Sequence, residues 1–304
     1  YLEYQCYDVT DSLHEGFNVI GAVVADGWYR GRIGAFGAQN VYGSQTSVMA
    51  QLEITYNDGS TETLVTDKSF SWSNDGPIRF ADLKDGEVFD AARRSSYSGS
   101  AIEVAAPKKV AICASNNVPV REQERFKPQM LTAEDGTRVL DFGQNIAGYL
   151  EFTVKGEKGQ RMRLTCGEML DVHGHVDLSG IKEARPVKGW TQPTLGLKLV
   201  TGKTPNDMDY SPHQEILFFC SGGEDHYKTS FAVFGFQYVQ VDTDMDIDPD
   251  AFTSIAVYSD MEQTGRFSGS DPLLNRFVQN TLWHKWILPK KSNHNNGRCL
   301  NTKN

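Results

Sequence analysis

Hydrophobic and polar positions along this chain alternate with a period of two over most of its length, the pattern of half-buried strands. Leu52, Ile54 and Tyr56 alternate with Glu53 and Thr55, and Asn57-Asp58-Gly59 then supplies a hairpin turn before a polar return strand. Leu150, Phe152 and Val154 alternate with Glu151 and Thr153, and Met162, Leu164 and Cys166 repeat the pattern, as do Val239 and Val241. Strands of this length, separated by glycine-bearing turns, predict an all-β protein of antiparallel β-sandwiches. One helix is expected late. Asp271 suits its N-cap and Pro272 its first position, Leu273, Leu274, Phe277, Val278 and Leu282 form one apolar stripe, and Pro289 should end it. Lys290 to Asn304 carries no apolar pattern, which predicts a disordered tail.

At 304 residues the chain has room for two domains, and the break between them is expected near Ala105 to Val120, where Pro107-Lys108-Lys109 and Pro119 interrupt the strands. The formal net charge of −9 argues against a nucleic-acid coat and against docking on an anionic membrane. No window reaches the ~18 apolar residues of a membrane span, and no charged-then-apolar leader opens the sequence. Five scattered cysteines, odd in number and without a CxxC, do not make a disulfide framework. They lean towards a reducing compartment, so a cytoplasmic location is expected, with secretion or the periplasm as the alternative.

Three stretches could carry chemistry. Asp171-Val172-His173-Gly174-His175-Val176-Asp177 reads as a solvated hairpin tip, with zinc between the two histidines as the alternative. Asp242, Asp244 and Asp246 belong to a run of alternate carboxylates through Asp250, read as a solvated acidic connection or, alternatively, a Ca2+ site that lacks the EF-hand pattern. Asp26-Gly27-Trp28-Tyr29-Arg30-Gly31-Arg32 sets two aromatic rings among charged groups. Aromatic faces stack on sugar C–H surfaces while Asp and Arg bond hydroxyl groups, so Asp26, Trp28, Tyr29 and Arg30 are candidates for binding carbohydrate. The alternative is a strand end whose rings fill a core, with Arg30 in a surface ion pair. No nucleophile elbow, P-loop or dinucleotide fingerprint is present.

An ordered series of motifs resembles the bacterial α-L-rhamnosidases, the family 78 glycoside hydrolases. Tyr7-Asp8-Val9-Thr10, Asn18-Val19-Ile20-Gly21, Asp26 to Gly31, Gln51 to Ser60 and Gly86-Glu87-Val88-Phe89-Asp90-Ala91 resemble the family's first β-sandwich. Asp141-Phe142-Gly143-Gln144-Asn145-Ile146-Ala147-Gly148, then Gly167-Glu168-Met169-Leu170-Asp171, resemble its second. Phe231 to Val239 resembles the closing strand, with Gln237 where the family usually has Arg, and Ser270 to Asn275 the helix leading to the catalytic barrel. The resemblance implies two antiparallel, jelly-roll-like β-sandwich domains, at residues 1–108 and 109–258, the second of concanavalin-like type. A linker helix and tail follow at 259–304. Tyr1 falls where the first sandwich is already under way.

The family's catalytic carboxylates lie in an (α/α)6 barrel, around Asp-Cys-Pro-x-Arg-x-Glu followed by Gly-Trp. Nothing in this sequence matches that stretch, and Gly297-Arg298-Cys299 is a different one. The resemblance therefore implies the accessory half of an α-L-rhamnosidase, inactive alone, belonging to an enzyme that releases terminal α-L-rhamnose by an inverting two-carboxylate reaction. A free-standing rhamnose-binding or glycan-binding module, calcium-dependent as in related proteins, is the alternative. Asp141, Gln144 and Asn145 match the most specific motif and are expected to make structural hydrogen bonds near the interdomain or barrel contact rather than sugar contacts, while Glu168 is a family-motif residue to which no role is assigned. The expected partners are rhamnose-containing glycans or glycosides, without nucleic acid or membrane, and a second copy if the Leu273–Phe277 stripe is left open.

Overall fold

The computed structural model describes residues 2–33, 39–104, 110–181 and 213–287. In the first third the strands are β1 (Leu2–Tyr4), β2 (Gln51–Thr55), β3 (Thr61–Val65), β4 (Ser71–Trp72), β5 (Ile78–Asp82), β6 (Gly86–Asp90), β7 (Gly99–Ser100) and β8 (Ile112–Ala114), with one helical turn, α1 (Gly27–Arg30). Then come β9 (Val120–Phe126), β10 (Gln129–Thr132), β11 (Arg138–Lys155), β12 (Arg161–Gly167), β13 (Met169–Leu170) and β14 (Val176–Asp177). The series closes with β15 (Glu215–Phe219), β16 (Glu224–Lys228), β17 (Phe234–Asp242), β18 (Phe252–Ser259) and helix α2 (Pro272–Ile287). The protein is all-β, as the alternation predicts.

The long strand β11 organises the main sheet. Its start lies between β10 and β17, and beyond Gly148 the strands β18 and β16 take over those two edges. The sheet therefore curls round β11 and encloses its own core, with β12 and β15 extending it past β17. Alternation in sequence becomes alternation in burial: Leu150, Phe152 and Val154 on β11 and Met162, Leu164 and Cys166 on β12 all point inward. Phe152 sits at the aromatic centre, with ring centroids 5.2 Å from Phe218, 5.0 Å from Tyr227 and 5.2 Å from Phe252.

The first third joins this sheet through its own hairpin. β5 pairs with β6, and β6 pairs in parallel with β15, from Gly86 opposite Glu215 to Asp90 opposite Phe219. Phe89 thereby stacks on Phe218 at 5.7 Å and meets Tyr227 at 5.0 Å. Glu87, two residues before it on the same face of β6, is buried and accepts from the backbone N–H groups of Ser230, Phe231 and Ala232 and from the Tyr227 hydroxyl at 2.7 Å. Burial pushes its carboxyl above the ordinary range, and those four donors pull the other way.

Residues 2–75 are built differently. The β2–β3 hairpin forms in the expected register, Thr55 opposite Thr61, but Leu64 and Val65 are exposed, as are Phe17, Val19 and Trp72. Among the described residues, no hydrophobic side chain before Ala91 is buried.

Helix α2 begins where expected, with Asp271 Oδ1 accepting from the backbone N–H groups of Leu273 and Leu274. Its stripe is only partly covered: Trp283 lies 6.2 Å from Phe126, while Leu273, Leu274 and Phe277 face solvent. Pro289, the tail and the Pro107-Lys108-Lys109 interruption lie outside the described residues. No described helix is long and apolar enough to cross a membrane.

Candidate functional site

The Asp26–Arg32 run departs from the strand end considered in the sequence. It is a single helical turn, closed by Arg30 N–H to Asp26 O at 3.0 Å and Gly31 N–H to Gly27 O at 3.1 Å. Glycines on both sides of the turn let the chain enter and leave sharply, which a strand reading misses. Its rings do not fill a core: Trp28 is 42% exposed and Tyr29 38%. Tyr29 stacks on Tyr42 at 6.4 Å, a contact between residues 13 positions apart that alternation does not signal. Arg30 pairs with Asp26 at 3.5 Å, as expected of a surface ion pair. The turn thus presents two partly exposed rings with a carboxylate and a guanidinium beside them, groups suited to sugar C–H surfaces and hydroxyls respectively.

The second site is where β11 bulges. Four residues, Phe142 to Asn145, lie opposite Gln237 alone. Gly143 takes a φ of +71°, and its N–H donates to Asp141 Oδ1 at 2.8 Å. Asp141 Oδ1 also accepts from Gln237 Nε2 at 2.9 Å. Asn145 Nδ2 donates to Glu168 Oε1 at 3.2 Å, and Gln144 Nε2 to the Asn145 carbonyl at 3.0 Å. The Tyr238 phenol nearby is pushed up by partial burial and then by the Asp141 charge. All four motif residues thus meet, or adjoin, one bulge. These hydrogen bonds tie Asp141 to Gly143 and Gln237, and Gln144 and Glu168 to Asn145. A small cleft beside the bulge is lined by Glu168, Asp177, Ser179 and Gln214, the last a residue with a φ of +49° that no motif in the sequence points to.

Neither metal reading finds support in the geometry. Gly174 does turn a hairpin tip, but His173 faces Glu134 at 2.9 Å and His175 faces Asp135 at 3.0 Å, ion pairs between two turns rather than ligands converging on one point. Along the acidic run Met245 and Ile247 point inward, while Asp242, Asp244 and Asp246 point to solvent. The carbonyls of Thr243 and Met245 are held by the Arg138 guanidinium, and Asp244 accepts from Gln160 at 2.9 Å. With the backbone carbonyls already accepting from a guanidinium and the carboxylates turned to solvent, these residues do not fit Ca2+. Among the described residues, no group of three or more His, Cys, Asp or Glu could hold a metal ion.

A curled, mostly antiparallel sheet whose strands fall in a concanavalin-like domain defines a protein of the all-β class. Residues 1–130 match the α-L-rhamnosidase N-terminal domain and residues 131–258 the bacterial α-L-rhamnosidase concanavalin-like domain. The chain belongs to the bacterial α-L-rhamnosidase family. It is 29% identical to an α-L-rhamnosidase of Streptomyces avermitilis over 295 residues, covering 93% of this chain and 26% of that protein. An α-L-rhamnosidase of Formosa agariphila is 26% identical, covering 92% and 29%. Among solved structures, native α-L-rhamnosidase from Aspergillus terreus superposes with a TM-score of 0.70 at 31% identity, over 84% of this chain and 28% of that one. The Streptomyces avermitilis enzyme complexed with L-rhamnose gives 0.74 at 26% identity, over 94% and 26%. This chain therefore spans about a quarter of the length of the relatives it matches.

Proposed function

We propose that this chain is the accessory β-sandwich region of an α-L-rhamnosidase, a glycoside hydrolase that releases terminal α-L-rhamnose with inversion. In such a reaction one carboxylic acid protonates the leaving oxygen and a second carboxylate activates water on the opposite face of the sugar. None of the carboxylates at the β11 bulge is assigned either role. Asp141 is engaged by Gln237 and Gly143, and Glu168 by Asn145. The chain's own part is to hold rhamnose-containing glycan at α1, through Trp28 and Tyr29 on the ring and Asp26 and Arg30 on hydroxyls. The observation that carries this reading is the solvent-facing pair of aromatic rings on a domain shared with enzymes of this name. An aryl α-L-rhamnoside is expected to survive incubation with the isolated chain; release that scales with protein through repurification would overturn that. Calorimetric titration with L-rhamnose, with added calcium and again with chelator, is expected to show saturable binding, and a flat response in both would remove the sugar role.

The same exposed rings support a second reading, in which the chain acts by itself as a rhamnose-binding module. The two readings share the titration and part at turnover by the longer protein. Self-association through the open face of α2 is expected to show as a mass that rises with concentration in light scattering, and a constant monomer would exclude it.

A further inference from the structure

Immediately after α1 the exposed face gives way to one of the few deeply buried charges in the protein. Arg32 is 8% exposed, and its guanidinium donates to Asp85 Oδ1 at 2.6 Å. Its backbone N–H donates to Asp82 Oδ2 at 3.0 Å. Asp82, itself 4% exposed, uses its other oxygen to accept from the N–H groups of Lys84 and Asp85, which fixes the turn between β5 and β6. The carbonyls of that same turn accept from the second sandwich: Gln214 N–H to Lys84 O at 3.2 Å and Glu215 N–H to Asp85 O at 3.0 Å. Gly31 lies so close that a Cβ there would stand 2.5 Å from the Gly27 carbonyl and 2.7 Å from Asp82 Oδ2. A continuous polar path thus runs from α1 through Arg32 and the 82–85 turn to β15.

We propose that Arg32, with Asp82 and Asp85, is a positioning latch that fixes the α1 aromatic face against the second sandwich and so sets its affinity for rhamnosyl glycans. The inference rests on the reading of α1 as the sugar-contacting face. Residues 2–75 bury no hydrophobic side chain among those described, so α1 draws little rigidity from packing around it. The largely buried Arg32–Asp85 pair, whose two backbone N–H groups both donate to Asp82, is the restraint that holds this turn. Arg32 touches no sugar in this scheme. It acts by keeping Trp28 and Tyr29 in register, and apparent affinity falls in proportion to the fraction of chains that hold that register.

The test is calorimetric titration of the full chain with L-rhamnose for wild type, Trp28→Ala, Arg32→Gln, Arg32→Lys and Asp85→Asn, with a thermal melt of each. Trp28→Ala is expected to abolish binding. Arg32→Gln and Asp85→Asn are expected to weaken it about tenfold at temperatures well below their melts, with Arg32→Lys recovering part of the loss. Wild-type affinity in Arg32→Gln and Asp85→Asn, with Trp28→Ala impaired, would overturn the latch and leave the sugar reading standing. Binding by wild type that Trp28→Ala leaves intact would place the sugar elsewhere and overturn both, as would no binding at all. If Arg32→Gln fails to fold, Asp85→Asn and Arg32→Lys decide the matter, because each keeps one half of the latch.

Discussion

Two regions of this molecule use similar sequence patterns to opposite effect. Between Val120 and Ser259, alternating strands close on one another, and Phe152, Phe218, Phe234, Phe236 and Phe252 are almost wholly buried. Between Leu2 and Trp72, shorter and more polar strands pair only two at a time, and Phe17, Tyr42, Leu64 and Trp72 remain exposed. Apolar side chains contribute stability in proportion to the area they remove from water, so the second region carries its own stability and the first does not. What ties the first to the second is the β5–β6 hairpin, and its ties are largely polar: Glu87 beneath the 230–232 backbone and Arg32 against Asp85. A domain boundary drawn by sequence motif and one drawn by hydrogen bonding therefore need not coincide, because β6 runs beside β15.

The contrast can be broken most directly with one chemistry placed in both regions. Phe152→Ala removes a ring that meets three others in the core, and about 3–5 kcal/mol of loss is expected in chemical denaturation. A loss below about 1 kcal/mol would mean that the second region is not the stable unit. Glu87→Ala comes next. It leaves three backbone donors and the Tyr227 hydroxyl without their acceptor in a buried place, with an expected loss of about 3 kcal/mol. Glu87→Gln keeps an accepting oxygen and should cost less. Equal costs for the two would show that charge, not the acceptor, is what the site needs. In the first region Leu64→Ala is expected to change stability by under about 0.5 kcal/mol, since that side chain already faces water. A loss several times larger would show that the β2–β3 hairpin packs against something in solution.

How far the sequence reached follows the same division. Period-two alternation was enough for β11, β12 and β17 because both neighbours of each strand lie in this chain and one face is dry. Asp271 and Pro272 placed the start of α2, because a helix N-terminus is a local event. The bulge at Phe142 to Asn145 was legible only as a motif. Its geometry depends on Gln237 and Glu168, far away in sequence, and alternation carries no record of either. Arg32 was in plain view within the aromatic run, yet its partner lies 53 positions away in a turn that reads as ordinary solvated sequence. The likeness of Asp26–Arg32 to a strand end failed for a local reason: Gly27 takes a φ of +52°, and Gly31 lies where a Cβ would stand 2.5 Å from the Gly27 carbonyl, so the chain turns here instead of extending.

The smallest expected effect lies at the rim of the stable region, where two turns are clasped by histidines. His175 pairs with Asp135 at 3.0 Å across the turns and with Asp171 at 3.6 Å within its own, while His173 pairs with Glu134 at 2.9 Å. The Asp135 hydrogen bond raises the His175 pKa above its ordinary value, against a small desolvation cost, and His175 in turn holds Asp135 well below the usual carboxylate range. A histidine whose folded pKa is raised stabilises the clasp fully below its unfolded pKa, and loses that contribution as pH rises through the folded one. Asp135 acts in the opposite direction, its contribution present above the ordinary carboxylate pKa and lost only in strong acid. The clasp is therefore tightest in mildly acidic solution. Both pairs are solvent-screened, so global stability should barely move. The place to look is amide hydrogen exchange at Asp171 to Val176, corrected for the intrinsic rate. Protection there should fall from pH 6 to pH 8.5 in the wild type and become flat with pH in His175→Gln, while β11 and β12 stay protected throughout. A wild-type profile that is already flat would show that the two turns are held by the backbone bonds alone, Glu134 N–H to His173 O at 3.1 Å among them.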